Sequence, residues 1–177
     1  MLFNRKEVLG RLRALGFEDN EELTEFVYDN LSKTYVTEAF GSLTLKGFIG
    51  VDDSDIYRIV KAYAEYKRAL NSSCYEMISI DARDVRKGYI TITELIERAN
   101  KGEKFVIVFR NVDDNDDLQR DLVEFAYSST GINGIELLDR RNIDLFYSTS
   151  SYEDLTGELQ YSSHSFIDGK NVINQHK

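Results

Sequence analysis

Leu45-Lys-Gly-Phe-Ile-Gly-Val-Asp-Asp-Ser-Asp-Ile-Tyr-Arg-Ile-Val-Lys-Ala-Tyr63 is the stretch whose reading decides the fold. Leu43, Leu45 and Phe48–Ile49 form an apolar run that ends at Gly50. Two acids and a serine follow, and then Ile56, Ile59, Val60, Tyr63 and Leu70 recur at helical spacing. This pattern predicts a strand, a turn carrying two glycines three apart, and an amphipathic helix capped from Asp52–Ser54.

The same alternation continues downstream. Tyr75-Glu-Met-Ile-Ser-Ile80 predicts a second strand, closed by Asp81. Thr91-x-x-Glu94 is a capping box for a helix whose Ile92, Leu95, Ile96 and Ala99 share one face. Phe105-Val-Ile-Val-Phe109 is a continuous apolar run, as expected of a strand buried on both faces. Leu118, Leu122, Phe125 and Ala126 mark a helix over Leu118–Tyr127, and Gly131 and Gly134 punctuate the loop after it. Ile143–Tyr147 predicts a fourth strand, Ser150-x-x-Glu153 a second capping box, and Ser165–Ile167 a short fifth strand. Strands alternating with helices imply right-handed crossovers, so the fold class is α/β with a mostly parallel five-stranded sheet flanked by helices. Ligands of such sheets bind at the carboxyl ends of the strands.

The expected organisation is a helical hairpin over 1–40, an α/β core over 41–168 and a polar tail over 169–177. In the hairpin, Phe3, Val8, Leu9, Leu12 and Leu15 line one face of a first helix that Gly16 ends. Arg5, Lys6, Arg11 and Arg13 form its basic face. The hairpin either packs on the core or offers that basic face for docking. The chain has 31 acidic and 22 basic residues, a net charge of −9, which opposes non-specific attraction to nucleic acid. The longest apolar run falls far short of the ~20 residues of a membrane span. The N-terminus lacks the apolar core of a secretory signal, and one cysteine, Cys74, excludes an internal disulfide. Cytoplasmic localisation is the expectation. His164, His176 and Cys74 have no partners at ligand spacing.

Residues 42–168 resemble the core α/β domain of the AAA+ ATPases, with nearly every chemical position changed. The family's phosphate loop follows the first strand as G-x-x-G-x-G-K-[ST]. Here the stretch is Gly47-Phe-Ile-Gly50-Val-Asp-Asp-Ser54. Gly47, Gly50 and Ser54 keep their places, Asp52 replaces a glycine, and Asp53 replaces the phosphate-binding lysine. Two like charges ~4 Å apart repel by roughly 4 kcal/mol at an effective dielectric near 20. That is about three decades of affinity lost.

The family's second motif is four apolar residues and then Asp-Glu, which hold magnesium and orient water. Val106-Ile-Val-Phe109 is followed instead by Arg110-Asn111. Ser148 or Thr149 would stand at the sensor position facing the γ-phosphate. The arginine expected near the fifth strand is replaced by Gln160-Tyr-Ser-Ser163, and residues 168–177 are too few for the helical lid. The resemblance therefore implies a P-loop NTPase-like domain kept for shape, with no catalytic residue and no nucleotide cofactor. It implies a protein-interaction or regulatory module whose partner is an active AAA+ ATPase or a DNA-replication assembly.

Three other readings stay open. Asp53, Asp81 and Asp113 all follow strands and would form a Mg²⁺ site for phosphoryl transfer or nuclease chemistry if they converged. Val51-Asp-Asp-Ser54 also resembles the paired aspartates of response-regulator receiver domains, with Thr149 and Lys170 as that family's hydroxyl and lysine. The phosphoacceptor position there falls on Arg110, which cannot accept a phosphoryl group. Asp113, Asn115, Asp117, Asp121 and Glu124 sit at the ligand offsets of a calcium loop, although Leu118 occupies its glycine position.

Overall fold

The computed structural model describes residues 4–17, 21, 23–25, 28, 45–71, 75–86, 92–127, 143–162 and 165–168. After α1 (Arg5–Ala14) come β1 (Leu45–Ile49), α2 (Asp53–Asn71), β2 (Glu76–Asp81), α3 (Ala82–Arg86) and α4 (Ile92–Asn100). β3 (Phe105–Arg110), α5 (Asp116–Tyr127), β4 (Ile143–Thr149), α6 (Gly157–Ser162) and β5 (Ser165–Asp168) complete the order. Short 3-10 turns cover Val112–Asp114 and Tyr152–Asp154. Gly131, Gly134, Thr91, Cys74, both histidines and the expected tail lie outside the described residues.

The strands lie side by side as β2-β3-β4-β1-β5, and every neighbouring pair is parallel. β1 thus sits between β4 and β5, the order expected of an AAA+ core. A receiver sheet would hold its first strand between the second and third, so the receiver reading is overturned.

Strand alternation divides the core into two layers. Phe105, Ile107 and Phe109 of β3 pack with Leu95 and Ile96 of α4 and Leu122 and Phe125 of α5. Val106 and Val108 turn the other way, onto Ile56, Ile59 and Val60 of α2. Full burial of each such side chain stabilises the fold by about 1.5–3 kcal/mol. Among the described residues, no helix is long and apolar enough to cross a membrane.

α1 begins with a capping box in which Asn4 Oδ1 accepts from the Glu7 amide (3.0 Å) and Glu7 Oε2 accepts from the Asn4 amide (3.2 Å). It ends at Gly16, whose φ of +87° suits a glycine. Val8, Leu12 and Phe17 are buried in the same cluster as Ile56, Ile59 and Val60, so α1 is part of the α2-side core. Arg58 of α2 fixes this arrangement by donating to the Leu15 carbonyl at 2.9 Å and stacking over the Phe17 ring. The basic face expected as a docking surface is partly neutralised within the chain. Arg5 pairs with Glu21 and Glu25, and Arg11 lies 3.8 Å from Glu65.

The α2 side of the sheet also buries charge. Lys46 of β1 and Asp144 of β4 are 0% and 4% exposed, and their Nζ and Oδ1 atoms are 3.3 Å apart. Lys67 of α2, 3% exposed, places Nζ 3.3 Å from Asp144 Oδ2. Tyr63 donates its hydroxyl to Asp144 Oδ1 at 3.2 Å and accepts from Lys46 Nζ at 3.1 Å. The Lys46 ammonium also lies over the rings of Tyr63 and Phe146. Burial alone would raise the Asp144 pKa, but the two ammonium groups outweigh it and hold the carboxyl below its ordinary value. Its contribution to stability is therefore complete above about pH 4 and fades as pH falls below that.

Asp144→Asn is expected to lower the unfolding free energy by about 3–5 kcal/mol, because two buried ammonium groups lose their counter-charge. Replacing Lys46, Lys67 and Asp144 together with Met, Met and Leu is expected to cost less than that single change. Denaturant unfolding of both variants beside the parent chain checks the ranking.

Candidate functional site

The candidate site is the carboxyl edge of the sheet, where β1, β2, β3 and β4 end side by side. Gly47 lies inside β1, opposite Tyr147 on one side and Phe166 on the other. The connection from β1 to α2 is therefore only Gly50-Val51-Asp52, shorter than the turn expected from two glycines three apart. Gly50 takes φ +62°, and its amide donates to the Thr149 carbonyl at 2.9 Å, so it is spent on β4. Asp53 and Asp55 occupy the first turn of α2, where acids complement the helix dipole. Ser54 stands in the same turn and is exposed.

Arg110, the last residue of β3, crosses the strand ends to this helix start. Its Nη1 lies 2.8 Å from Asp53 Oδ2, and its Nε donates to Ser79 Oγ at 2.9 Å. The pair closes on itself across the strand ends. With side-chain exposures of 28% and 50%, the ion pair is well solvated and contributes at most about 1 kcal/mol.

Asn111 follows in the left-handed conformation, φ 58° and ψ 47°. Its amide donates to Ser148 Oγ at 3.1 Å, and its Nδ2 lies 3.4 Å from Asp81 Oδ2. Thr149 Oγ1 donates to the Ser151 carbonyl at 3.0 Å. Both sensor-like residues are buried, and each hydroxyl has a partner within the chain.

Asp81 ends β2 and holds Arg83 through its side chain and its amide. Nη2 donates to Oδ2 at 2.7 Å, and Nε and the backbone amide donate to Oδ1, both at 2.9 Å. The Arg83 hydrogen bonds hold this carboxyl far below the usual range and raise the guanidinium in return. Asp113 accepts from the Ser150 hydroxyl instead. Asp53, Asp81 and Asp113 are thus engaged by three different groups. Among the described residues no three His, Cys, Asp or Glu side chains are grouped to hold a metal ion. The Mg²⁺ reading required convergence of these carboxylates, and the structure does not provide it.

The calcium-loop reading also fails. Asp116–Tyr127 is helical, Leu118 is buried, and Asn115 caps the helix by accepting from the Leu118 amide at 3.0 Å. Asp117, Asp121 and Glu124 are strung along one helix and cannot wrap an ion. The second capping box is displaced as well. Ser151, not Ser150, caps the 3-10 turn, and Thr156 accepts from the Leu159 amide at the start of α6.

Sequence reasoning missed Gln119. Buried in α5, it donates to the carbonyls of Val112 (3.0 Å) and Asp154 (3.2 Å) and accepts from the Thr156 amide (2.7 Å). It ties the loop after β3 to the loop after β4. The only sequence signal was a polar residue beside the apolar positions of a helix.

Solved structures similar to this chain are AAA+ ATPases. ORC2 of Aeropyrum pernix, in its ADPNP–ADP complexes, aligns at a TM-score of 0.54 and 9% identity, over 83% of this chain and 46% of that one. A Thermotoga maritima RuvB variant aligns at 0.53 and 10% identity, over 91% and 48%. C. elegans PCH-2 aligns at 0.55 and 14% identity, over 86% and 44%. The chain spans less than half the length of each of these proteins. No family model and no curated protein matches the sequence. At these identities the likeness establishes the fold: an α/β domain with a parallel sheet flanked by helices, as in AAA+ ATPases.

Two consequences are measurable. Asn111→Ala is expected to cost about 1–2 kcal/mol, since a non-glycine side chain without a local hydrogen bond is strained in the left-handed region. Asn111→Gly, free of that strain, should cost less in the same thermal unfolding assay. For Asp81 the depressed pKa means stability that is present above about pH 4 and lost as pH falls further. Between pH 5 and 2 the parent chain should therefore lose more stability than Asp81→Asn, followed by circular dichroism.

Proposed function

We propose that this chain is an AAA+-like module that does not hydrolyse ATP and acts as a protein-interaction or regulatory subunit. Its partner is an active AAA+ ATPase within a larger assembly, such as one serving DNA replication. The observation that carries this reading is the Asp53–Arg110 ion pair. It sets a carboxylate where a phosphate loop needs a cation and a guanidinium where the magnesium-binding acid would stand. A working loop aims uncommitted amides and an ammonium at the phosphates. Here Gly50 donates to Thr149 and the helix start is faced by its own acids, which repel a polyanion.

Hydrolysis also needs a residue to orient water. The corresponding place is held by Asn111, whose amide and side chain are directed to Ser148 and Asp81. Two large side chains, Tyr57 (51% exposed) and Tyr152 (43%), stand exposed on the segments that follow β1 and β4. Tyrosines of this kind supply contact area at low entropic cost in protein interfaces, which supports docking at this end of the sheet.

Calorimetric titration and thermal-shift measurements with Mg·ATP and Mg·ADP test the proposal. No heat beyond dilution and no shift in Tm are expected at millimolar nucleotide. A micromolar Kd or steady phosphate release would overturn it. Co-purification from the native cell is expected to bring down an AAA+ ATPase.

A further inference from the structure

We draw no further inference here: the strongest candidate, the open cavity beside the first residues of β2 and β3 lined by Arg68, Tyr75, Glu76, Glu103 and Lys104, has both of its carboxylates bound by Arg98 and its arginine bound to the Tyr75 carbonyl, and nothing in the structure shows what it would hold.

Discussion

The carboxylate of Asp144, held between the ammonium groups of Lys46 and Lys67 inside the protein, constrains the register of the sheet at its centre. β1 and β4 are neighbours, and their pairing sets Leu45 opposite Leu145 and Lys46 opposite Phe146. A slip of one residue would turn Lys46 to the other face, onto the apolar layer of α4 and α5. Desolvation of each unpaired ion there costs several kcal/mol. The cluster is a poor source of net stability for the same reason, since burying three charges nearly cancels their attraction. Its effect is to make one register far better than its neighbours. That register brings Gly50 beside Thr149 at the carboxyl edge, where the amide of one meets the carbonyl of the other.

At that edge several polar side chains bond one another. Arg110 takes Asp53 and Ser79, Asp81 takes Arg83 and Asn111, Ser148 takes the Asn111 amide, and Thr149 takes the Ser151 carbonyl. An anion site depends on donors that have no better partner until the ligand arrives. Here Arg110, the Asn111 amide and the Gly50 amide already have acceptors, and the helix start carries carboxylates of its own. Asp53 and Arg110 neutralise each other and tie β3 to α2, where either one alone would leave a charge to be solvated.

Most of the fold was legible because periodicity is local. The five-residue apolar run Phe105–Phe109 and the helical spacing of Ile92, Leu95, Ile96 and Ala99 can be read without knowing what they touch. Strand order cannot, because it depends on contacts between residues far apart in the chain. The Asp144 cluster was invisible for a related reason: its members lie far apart in sequence, and only an isolated Lys46 and an isolated Asp144 inside apolar strands hinted at it. Offsets misled where several structures share them. Asp113 to Glu124 matches a calcium loop by spacing, but buried Leu118 and the Asn115 cap make the same residues a helix start. Gly47 illustrates the same limit, because a glycine opening a turn and a glycine flanked by strands on both sides are spelled alike.

Ser79 is where the closed strand ends meet the open strand edge. Its side chain accepts from Arg110, beside the Asp53 pair, while its main-chain groups point away from β3. The two ends of this residue do different work. The hydroxyl belongs to a solvated side-chain cluster that salt screens and that contributes little energy. The amide and carbonyl belong to a row of main-chain groups whose pairing is local to the strand and indifferent to charge. Loss of the ion pair would therefore leave the β2 edge as it is, and a blocked edge would leave the strand ends closed.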